Sequence, residues 1–309
     1  YDLYDRADSK ERSRRPAHPA PPRQKKAASK VLFRTDQGAS VTAVLPINGA
    51  GQPGDPDGFL CGTANGIVSR VGADGHTLWS VDPGGKVNNI IIQNGANGSE
   101  ASIVTAHEDR MVRSYSLDGA TGWTYQCPNG ELSTVGRARI LNSVDTNDDG
   151  IDELLIGTAS WWVICLTQGG TELWRTRCYA HSALSLEVGK RSAEAKFIVQ
   201  SNEYYYLHVL SAHGELLASR YIDRWAPRVF PVILSDLNRD GTDEIICGGS
   251  DGIVRAFALC QSEGESRGEK VPCHLEQLWS YQTGGEITAT TEHRLAHSRD
   301  FLIASEGYH

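Results

Sequence analysis

The chain has 309 residues and a net charge of −8, and 39% of its residues are hydrophobic. It holds 32 Gly and a single Met, a composition rich in turn formers that favours an all-β fold over a helical one. No apolar run approaches the roughly 18 residues that a membrane-spanning helix needs, so the sequence indicates no membrane span.

The first 30 residues differ in charge from the rest. They hold nine Lys or Arg against four Asp or Glu, whereas the remaining residues hold 21 against 34. This Pro-rich, basic stretch lacks apolar periodicity, so we interpret it as a disordered tail or interdomain linker. A nucleic-acid-binding arm is the alternative, but the acidic remainder would repel phosphate, and we predict no nucleic-acid partner. The chain starts without Met and stops within a repeat, so we expect a fragment of a longer protein.

The rest of the chain is built from imperfect repeats of about 45 residues. Each repeat has four short runs rich in Val, Ile, Tyr and Trp, separated by Gly, Asp and Asn turns, which is the pattern of a meander of hairpins. The helical alternative fails because no window sustains apolar residues at helical spacing. Five repeats are complete and a sixth begins at residue 286; the five span residues 40–85, 86–130, 137–183, 184–228 and 229–285.

Four-stranded units repeated around an axis are the blades of a β-propeller, so the fold class is all-β with about six blades in this chain. Residues 31–38 read as the last strand of a blade, with Phe33 where other blades carry Trp. If the ring closes by pairing its first and last segments, these residues complete the sixth blade. Alternatively the ring has seven or eight blades. We therefore predict a truncated ring of six to eight blades over residues 31–309, incomplete at the C-terminus.

A Trp precedes the last strand of most repeats. Trp79, Trp174 and Trp279 each follow a Leu, Trp123 lies at the matching place, and Ala218 lies near it in the fourth repeat. This signal resembles the tryptophan-docking blades of quinoprotein-like propellers, the BamB-type and pyrroloquinoline-quinone-like repeats. A large ring wedged between blades buries apolar area and seals their junction. No two Cys residues are adjacent, unlike in quinone-dependent dehydrogenases of that class, so we expect no quinone cofactor.

Two repeats carry a loop that suits a hard cation. Oxygen ligands at positions 1, 3 and 5, Gly at 6, a carbonyl at 7 and a carboxylate at 9 are an EF-hand-like arrangement. These loops resemble the FG-GAP calcium loops of integrin-like propellers. The resemblance implies two structural calcium sites, with ligands Asp145, Asn147, Asp149, Ile151 and Glu153 in the first and Asp236, Asn238, Asp240, Thr242 and Glu244 in the second. A hairpin turn that binds no metal is the alternative, and recurrence at homologous positions disfavours it.

Cys260 and Cys273 flank a polar insertion in the fifth repeat. A disulfide at the base of that loop fits an exported protein, and two Cys that merely end neighbouring strands fit equally well. The sequence leaves both open.

The strands of a blade, A to D, place their turns on two faces. The A–B and C–D turns share what we term the A–B face, which carries the calcium loops; the B–C and D–A turns share the B–C face. Aromatic and basic residues of the third and fourth repeats gather on the B–C face. The candidate ligand-binding residues are Trp161, Trp162, Tyr179, His181, Tyr204, Tyr205, Tyr206, Arg224 and Trp225. Such residues stack sugars or hold peptides, whereas packing between blades would account for part of them.

These observations predict a non-catalytic, calcium-stabilised propeller module of an exported protein, with an extracytoplasmic location and a carbohydrate or protein ligand. The alternative is a propeller domain of a polysaccharide-degrading lyase or hydrolase, in which His181 would act with Tyr and Arg as acid and base. An intracellular scaffold is disfavoured because cytosolic calcium is too low to fill weak structural sites.

Overall fold

The structure, a computed structural model, describes residues 34–48, 56–130, 136–179, 182–192, 195–226, 228–262, 264–266, 268–294 and 299–305. The chain divides into two compact units, residues 1–34 and residues 35–309. The predicted tail, residues 1–30, lies outside the described residues. Within the described residues, none of the helices combines the length and the hydropathy of a bilayer-crossing segment.

The described part of the second unit holds five four-stranded antiparallel meanders, whose strands are consecutive in the chain except where a hairpin is inserted in the fifth. The first sheet has β1 Val41–Asn48, β2 Pro56–Thr63, β3 Val68–Gly72 and β4 Thr77–Val81. The second has β5 Val87–Gln93, β6 Ser102–His107, β7 Met111–Ser116 and β8 Thr121–Gln126, with a 3-10 turn at Ala96–Gly98. The third has β9 Ala138–Val144, β10 Glu153–Thr158, β11 Trp162–Leu166 and β12 Glu172–Arg177.

The fourth sheet has β13 Ala183–Ser192, β14 Ala195–Asn202, β15 Tyr206–Ser211 and β16 Leu216–Tyr221. The fifth has β17 Val229–Ser235, β18 Glu244–Gly249, β19 Ile253–Cys260 and β22 His274–Gln282, with a small hairpin inserted, β20 Gly264–Ser266 and β21 Glu269–Val271. A further pair is formed by β23 Ile287–Arg294 and β24 Arg299–Ser305. The predicted repeats thus match the observed sheets one for one.

The sheets are arranged around a common axis. The first strand of each sheet contacts the first strand of the next, from β1 through β5, β9, β13 and β17 to β23. The second strands are buried on both sides between neighbouring sheets, which is why β10 and β18 read as unbroken apolar runs. The fourth strands, such as β12, alternate between exposed and half-buried residues because they lie outermost. The fold is therefore a β-propeller, and each sheet is a blade.

Residues 31–38, predicted as a strand, give no support for ring closure in their described part. Residues 34–38 form no strand, and residues 31–33 lie outside the described residues. The strand prediction is therefore wrong over 34–38.

Three blade junctions are closed by the predicted Trp side chains. The Nε1 atoms of Trp79, Trp123 and Trp174 donate hydrogen bonds to the next blade, to the carbonyls of Leu117, Gln168 and Ala212, at 2.9–3.0 Å. Each ring also rests on a Gly of that blade's C–D turn, namely Gly119, Gly170 and Gly214. Trp279 is 40% exposed, and no C–D turn follows it in the described part of the chain.

The junction between blades 4 and 5 is closed differently. Ala218 lies opposite Val209 at the register position that Trp holds in other blades. The inserted hairpin β20–β21 packs against β16, and the amide of Cys273 donates to the carbonyl of Leu217 at 3.0 Å. Arg220 donates to the carbonyl of Leu275 at 2.6 Å. The insertion in blade 5 therefore fills the place of the missing Trp.

Candidate functional site

The first predicted calcium loop, residues 145–153, connects β9 to β10 on the A–B face. One carboxylate oxygen of Asp145 accepts hydrogen bonds from the amides of Asn147 at 3.1 Å and Asp148 at 2.6 Å, and its other oxygen accepts the amide of Gly150. Gly150 lies at φ +82°, the left-handed region where Gly is unstrained. Asp149 accepts the amide of Ile151 at 2.8 Å. The loop is therefore wound around its own carboxylates.

Glu153 closes this loop from below. It is buried, and its Oε2 accepts both the amide and the hydroxyl of Thr146, at 2.8 and 2.7 Å. Asn147 Nδ2 lies between two carboxylates, 3.1 Å from Asp149 Oδ2 and 3.4 Å from Glu153 Oε1. The side-chain nitrogen of Asn147 therefore lies between two carboxylates whose negative charge a bound cation would neutralise.

The second loop, residues 236–244, repeats this geometry between β17 and β18. Asp236 accepts the amides of Asp240 and Gly241, and Asp240 accepts the amide of Thr242 at 2.8 Å. Asn238 Nδ2 again bridges two carboxylates, Asp240 at 2.9 Å and Glu244 at 3.0 Å. Two separate segments have therefore adopted one conformation, because both have the same Asp, Asn and Gly positions.

Charge is concentrated in both loops. Burial raises the pKa of Glu244, and the neighbouring Asp240 and Asp236 charges raise it further, against the hydrogen bond from Leu237. In the first loop burial raises the pKa of Asp145, but hydrogen bonds from Gly150 and Asp148 outweigh it and lower the pKa overall. An all-oxygen donor set with crowded carboxylates suits calcium.

Both loops are tied to the same neighbour, the β13–β14 hairpin of blade 4. Lys196 donates to the carbonyl of Asp145 at 2.5 Å and pairs with Asp148 at 2.6 Å. On the other side, Asp243 exchanges two hydrogen bonds with the backbone of Lys190, at 2.7 and 2.8 Å. The loops of blades 3 and 5 thus hold the hairpin of blade 4 between them.

The B–C turns on the opposite face share one unusual backbone position. The residue there has a positive φ in all five complete blades: +100° at Gly66, +73° at Arg110, +74° at Trp161, +74° at Tyr205 and +74° at Gly252. Blades 1 and 5 use Gly, for which this conformation is free. Blades 2, 3 and 4 are consecutive, and they place bulky residues in a conformation that costs roughly 1–2 kcal/mol each.

The Gly and non-Gly turns differ in what lies beside them. A Cβ on Gly66 would lie 2.7 Å from the backbone of Gly84, and one on Gly252 would lie 2.7 Å from the carbonyl of Gly285. Blades 1 and 5 therefore pack a tight D–A turn against the B–C turn. In blades 2, 3 and 4 the same turn residue keeps its side chain, and its carbonyl accepts the amide of the first residue after strand D, from Cys127, Cys178 and Ile222 at 2.7–2.9 Å.

Two of these side chains belong to aromatic clusters. Trp161 contacts Tyr179 edge-on, with ring centroids 5.1 Å apart, and the guanidinium of Arg177 lies 5.1 Å from the Trp161 ring centre. In blade 4, Tyr205 contacts Tyr204 at 4.9 Å and Tyr221 at 5.5 Å.

The two clusters are linked across the blade junction. Tyr206 contacts Tyr221 and stacks on His208, with centroids 5.6 Å apart. The ring of His208 is hydrogen-bonded to the carbonyl of Tyr179 in blade 3. Arg139 of blade 3 also pairs with Glu203 in the B–C turn of blade 4, at 2.9 Å. The aromatic surface, which we define as Trp161, Tyr179, Tyr204, Tyr205, Tyr206 and Tyr221, therefore spans two blades.

Other predicted residues lie elsewhere. Trp162 points inward and packs against the apolar core between blades 2 and 3, so we leave it out of the aromatic surface. Its neighbour Trp161 lies in the turn before β11, with its ring against Tyr179 and Arg177. Trp225 is 67% exposed with Arg224 stacked over it at 4.9 Å, in the connection that follows β16. His181 lies outside the described residues.

Sequence reasoning missed three members of this region. Tyr221 ends β16 directly opposite Tyr206, His208 follows two residues after Tyr206 in β15, and Arg177 ends β12 opposite Trp162. All three lie in strands, whereas the candidate residues were expected in the B–C and D–A turns. Pairing the last strand of each blade with the third would have found Tyr221.

Comparison with known proteins supports the fold. No family model and no curated protein matches the chain. Among solved structures, the chain is similar to BBS1N in complex with ARL6DN, soaked with mercury, with 12% identity and a TM-score of 0.58 over 86% of this chain and 77% of that chain. A lead-soaked crystal of the same complex gives 11% identity and a TM-score of 0.54 over 80% and 72%. This similarity supports the β-propeller fold.

Proposed function

We propose that this chain is a protein-binding β-propeller whose ligand contacts the aromatic surface on the B–C face of blades 3 and 4. The observation that carries the proposal is the left-handed backbone of Trp161 and Tyr205. Strained conformations at bulky residues persist where the surrounding structure holds them, and they concentrate at functional sites.

Exposure and composition support the same surface. Tyr204 and Tyr221 are 47% and 46% exposed, although both carry large apolar rings. Tyr, Trp and Arg are the residue types enriched where proteins bind one another. Arg177 adds a guanidinium group that stacks on Trp161.

The structural neighbour is consistent with a protein ligand. BBS1N was crystallised in complex with ARL6DN, so a propeller of this fold has been captured with a protein partner. Carbohydrate remains the alternative ligand, because exposed aromatic rings also stack on sugars. The polysaccharide-degrading enzyme depends on His181 and stays a prediction, as does an extracytoplasmic location.

We also propose that the two A–B loops bind structural calcium, as in FG-GAP propellers. Asp145, Asn147, Asp149 and Glu153 would hold one ion, and Asp236, Asn238, Asp240 and Glu244 the other, with Ile151 and Thr242 contributing carbonyls. The matched hydrogen-bond patterns of the two loops support this proposal. Calcium would neutralise the crowded carboxylates and fix each loop against blade 4.

The binding proposal is tested by affinity capture followed by protein identification. The bait is the whole chain, compared with the triple variant Trp161→Ala, Tyr204→Ala and Tyr221→Ala. The matched control is Leu173→Ala, which removes an exposed apolar side chain from an outer strand. We expect a protein that both the parent and the control retain and the triple variant loses.

Two outcomes would contradict this proposal. Equal retention by all three baits would exclude the aromatic surface. Binding of the parent to a glycan array, lost in the triple variant and without a captured protein, would establish the carbohydrate alternative.

A further inference from the structure

The insertion in blade 5 starts and ends at a cluster of three side chains with different donor atoms. Cys260, His274 and Glu276 each offer one ligand atom, and these atoms all lie within 4.8 Å of one another. Among the described residues, no other group of three His, Cys, Asp or Glu side chains has its ligand atoms this close together. This cluster shares no residue with the two calcium loops, which connect strands A and B, or with the aromatic surface.

Strand pairing explains why the three side chains meet. Cys260 is directly opposite His274 in the β19–β22 ladder, and Ala258 is opposite Glu276. Directly paired residues of an antiparallel ladder project to the same side of the sheet, and so do residues two apart in one strand. Cys260, His274 and Glu276 therefore share one side of the blade.

The other side of the same ladder is core. Leu259 and Leu275 are paired, and both belong to the apolar cluster between blades 4 and 5. Cys273, next to His274, is also buried in that cluster, and its sulfur accepts a hydrogen bond from Arg191 at 3.3 Å. Of the two alternatives that the sequence leaves open for Cys260 and Cys273, the structure has the one without a disulfide: both are free thiols, and Cys260 lies beside His274 and Glu276.

The cluster already has an outer contact that orients a ligand. Ser262 Oγ is hydrogen-bonded to His274 Nδ1 at 2.7 Å, which fixes the imidazole and leaves Nε2 as its second nitrogen. Metal-bound histidines usually have such a second hydrogen bond, which sets the ring orientation. The Cys260 sulfur lies 3.5 Å from Glu276 Oε2, so thiol and carboxylate are neighbours.

We propose that Cys260, His274 and Glu276 bind a zinc ion that fastens the base of the β20–β21 insertion. Sulfur, nitrogen and carboxylate oxygen are the donors that zinc takes in proteins, and hard oxygen-seeking cations do not favour a thiolate. Three protein ligands leave a fourth position for water. The ion would hold the insertion in the place where it substitutes for the missing Trp of blade 4.

The proposal is tested with cobalt as a spectroscopic probe for zinc. The whole chain is reduced, freed of metal and titrated with Co²⁺ in the presence of excess Ca²⁺, which keeps cobalt from the oxygen-only loops. We expect one equivalent to give a thiolate-to-cobalt charge-transfer band that Zn²⁺ abolishes. Cys260→Ser should lose the band, and His274→Gln should weaken cobalt binding at least tenfold. His213→Gln, which removes an exposed histidine of blade 4, should leave the titration unchanged.

Thiol reactivity gives a second readout that does not depend on the variants. Six of the seven cysteines are buried and Cys260 is partly exposed, so a thiol reagent should modify one cysteine in the native chain. Zn²⁺ should protect that thiol. The absence of a charge-transfer band, its persistence in Cys260→Ser, or a modification rate that zinc leaves unchanged would each overturn the proposal.

Discussion

The C–D turns and the B–C turns of this propeller use the left-handed backbone conformation in different ways. Four C–D turns place a Gly there: Gly75, Gly119, Gly170 and Gly214. Three of the five B–C turns instead place Arg, Trp or Tyr in the same conformation. The C–D turns therefore use the residue that favours a left-handed backbone, whereas most of the B–C turns use residues that disfavour it.

The difference follows from what each turn does. In the C–D turns of blades 2, 3 and 4 the absence of a side chain is required, because the Trp of the previous blade occupies the position that a Cβ would take. In the B–C turns of blades 2, 3 and 4 the side chain is retained at a cost in backbone strain. Natural sequences depart from local preference mostly where function requires it. The B–C turns are therefore the first place to look for binding.

The largest effect of a single substitution is expected at a Trp junction. In Gly170→Ala the new methyl group would lie 2.5 Å from the Trp123 ring in a left-handed turn. Backbone strain and overpacking together should lower the free energy of unfolding by about 2–4 kcal/mol, as measured by urea denaturation. The control Gly84→Ala has a similar φ and open space, so it should cost about 1 kcal/mol. Equal losses in both variants would mean that Trp docking adds nothing.

Calcium removal should affect the A–B face alone. At a calcium concentration a hundred times Kd, each filled site stabilises the fold by about 2.7 kcal/mol, so chelation should lower Tm. Hydrogen exchange should rise in residues 145–153 and 236–244 and stay unchanged in the B–C turn of blade 4. Asp240→Asn should reduce the calcium-dependent shift, whereas Asp74→Asn, an exposed turn aspartate that also accepts a backbone amide, should not. A Tm insensitive to EDTA would rule out both sites.

Exchanging residue types between B–C turns measures the strain directly. Arg110→Gly should stabilise the chain by up to about 1 kcal/mol, because Gly adopts the left-handed conformation freely. The hydrogen bond it removes, from Arg110 to Asn129, lies on the surface and contributes little. Gly252→Ala should destabilise by about 1–3 kcal/mol, since its Cβ would meet the Gly285 carbonyl. Destabilisation in both variants would show that no strain is stored at Arg110.

The smallest expected effect is a pH dependence under the B–C face of blade 2. Burial lowers the pKa of His107, whose ring is hydrogen-bonded to the carbonyl of Gly85 at 3.0 Å. A histidine with a lowered folded pKa is fully stabilising above its unfolded pKa of about 6.5, and this contribution is lost as the pH falls from there toward the folded pKa. We expect Tm to fall between pH 7 and pH 5, and His107→Gln to flatten that slope. An unchanged slope in the variant would assign the effect to other groups.

The fold could be predicted from the sequence because short local motifs mark the strands and turns of each repeat. The Gly and Asp turns and the Trp of strand D recur at one period, and each marks a local conformation. The replacement of Trp by the insertion at Ala218 could not be predicted, since it depends on contacts between residues more than 50 positions apart.

The candidate site could be predicted only in part, because the positions of its side chains depend on how the strands begin and pair. Trp161 and Trp162 are adjacent and chemically identical, and which of them packs against the core depends on where β11 begins. The spacing of Cys260 and Cys273 is compatible with a disulfide, but Cys273 packs in the core between blades 4 and 5, whereas Cys260 lies beside His274 and Glu276.

The hairpin β13–β14 has a consequence for how calcium would bind. It has no calcium loop of its own, yet Lys196 attaches it to the loop of blade 3 and Lys190 to the loop of blade 5. An ion in either loop would order this hairpin, which contacts both loops. Binding of the second ion would then cost less conformational entropy, because the hairpin is already ordered. The two sites would then titrate cooperatively, with a Hill coefficient above one that Lys196→Ala returns toward one.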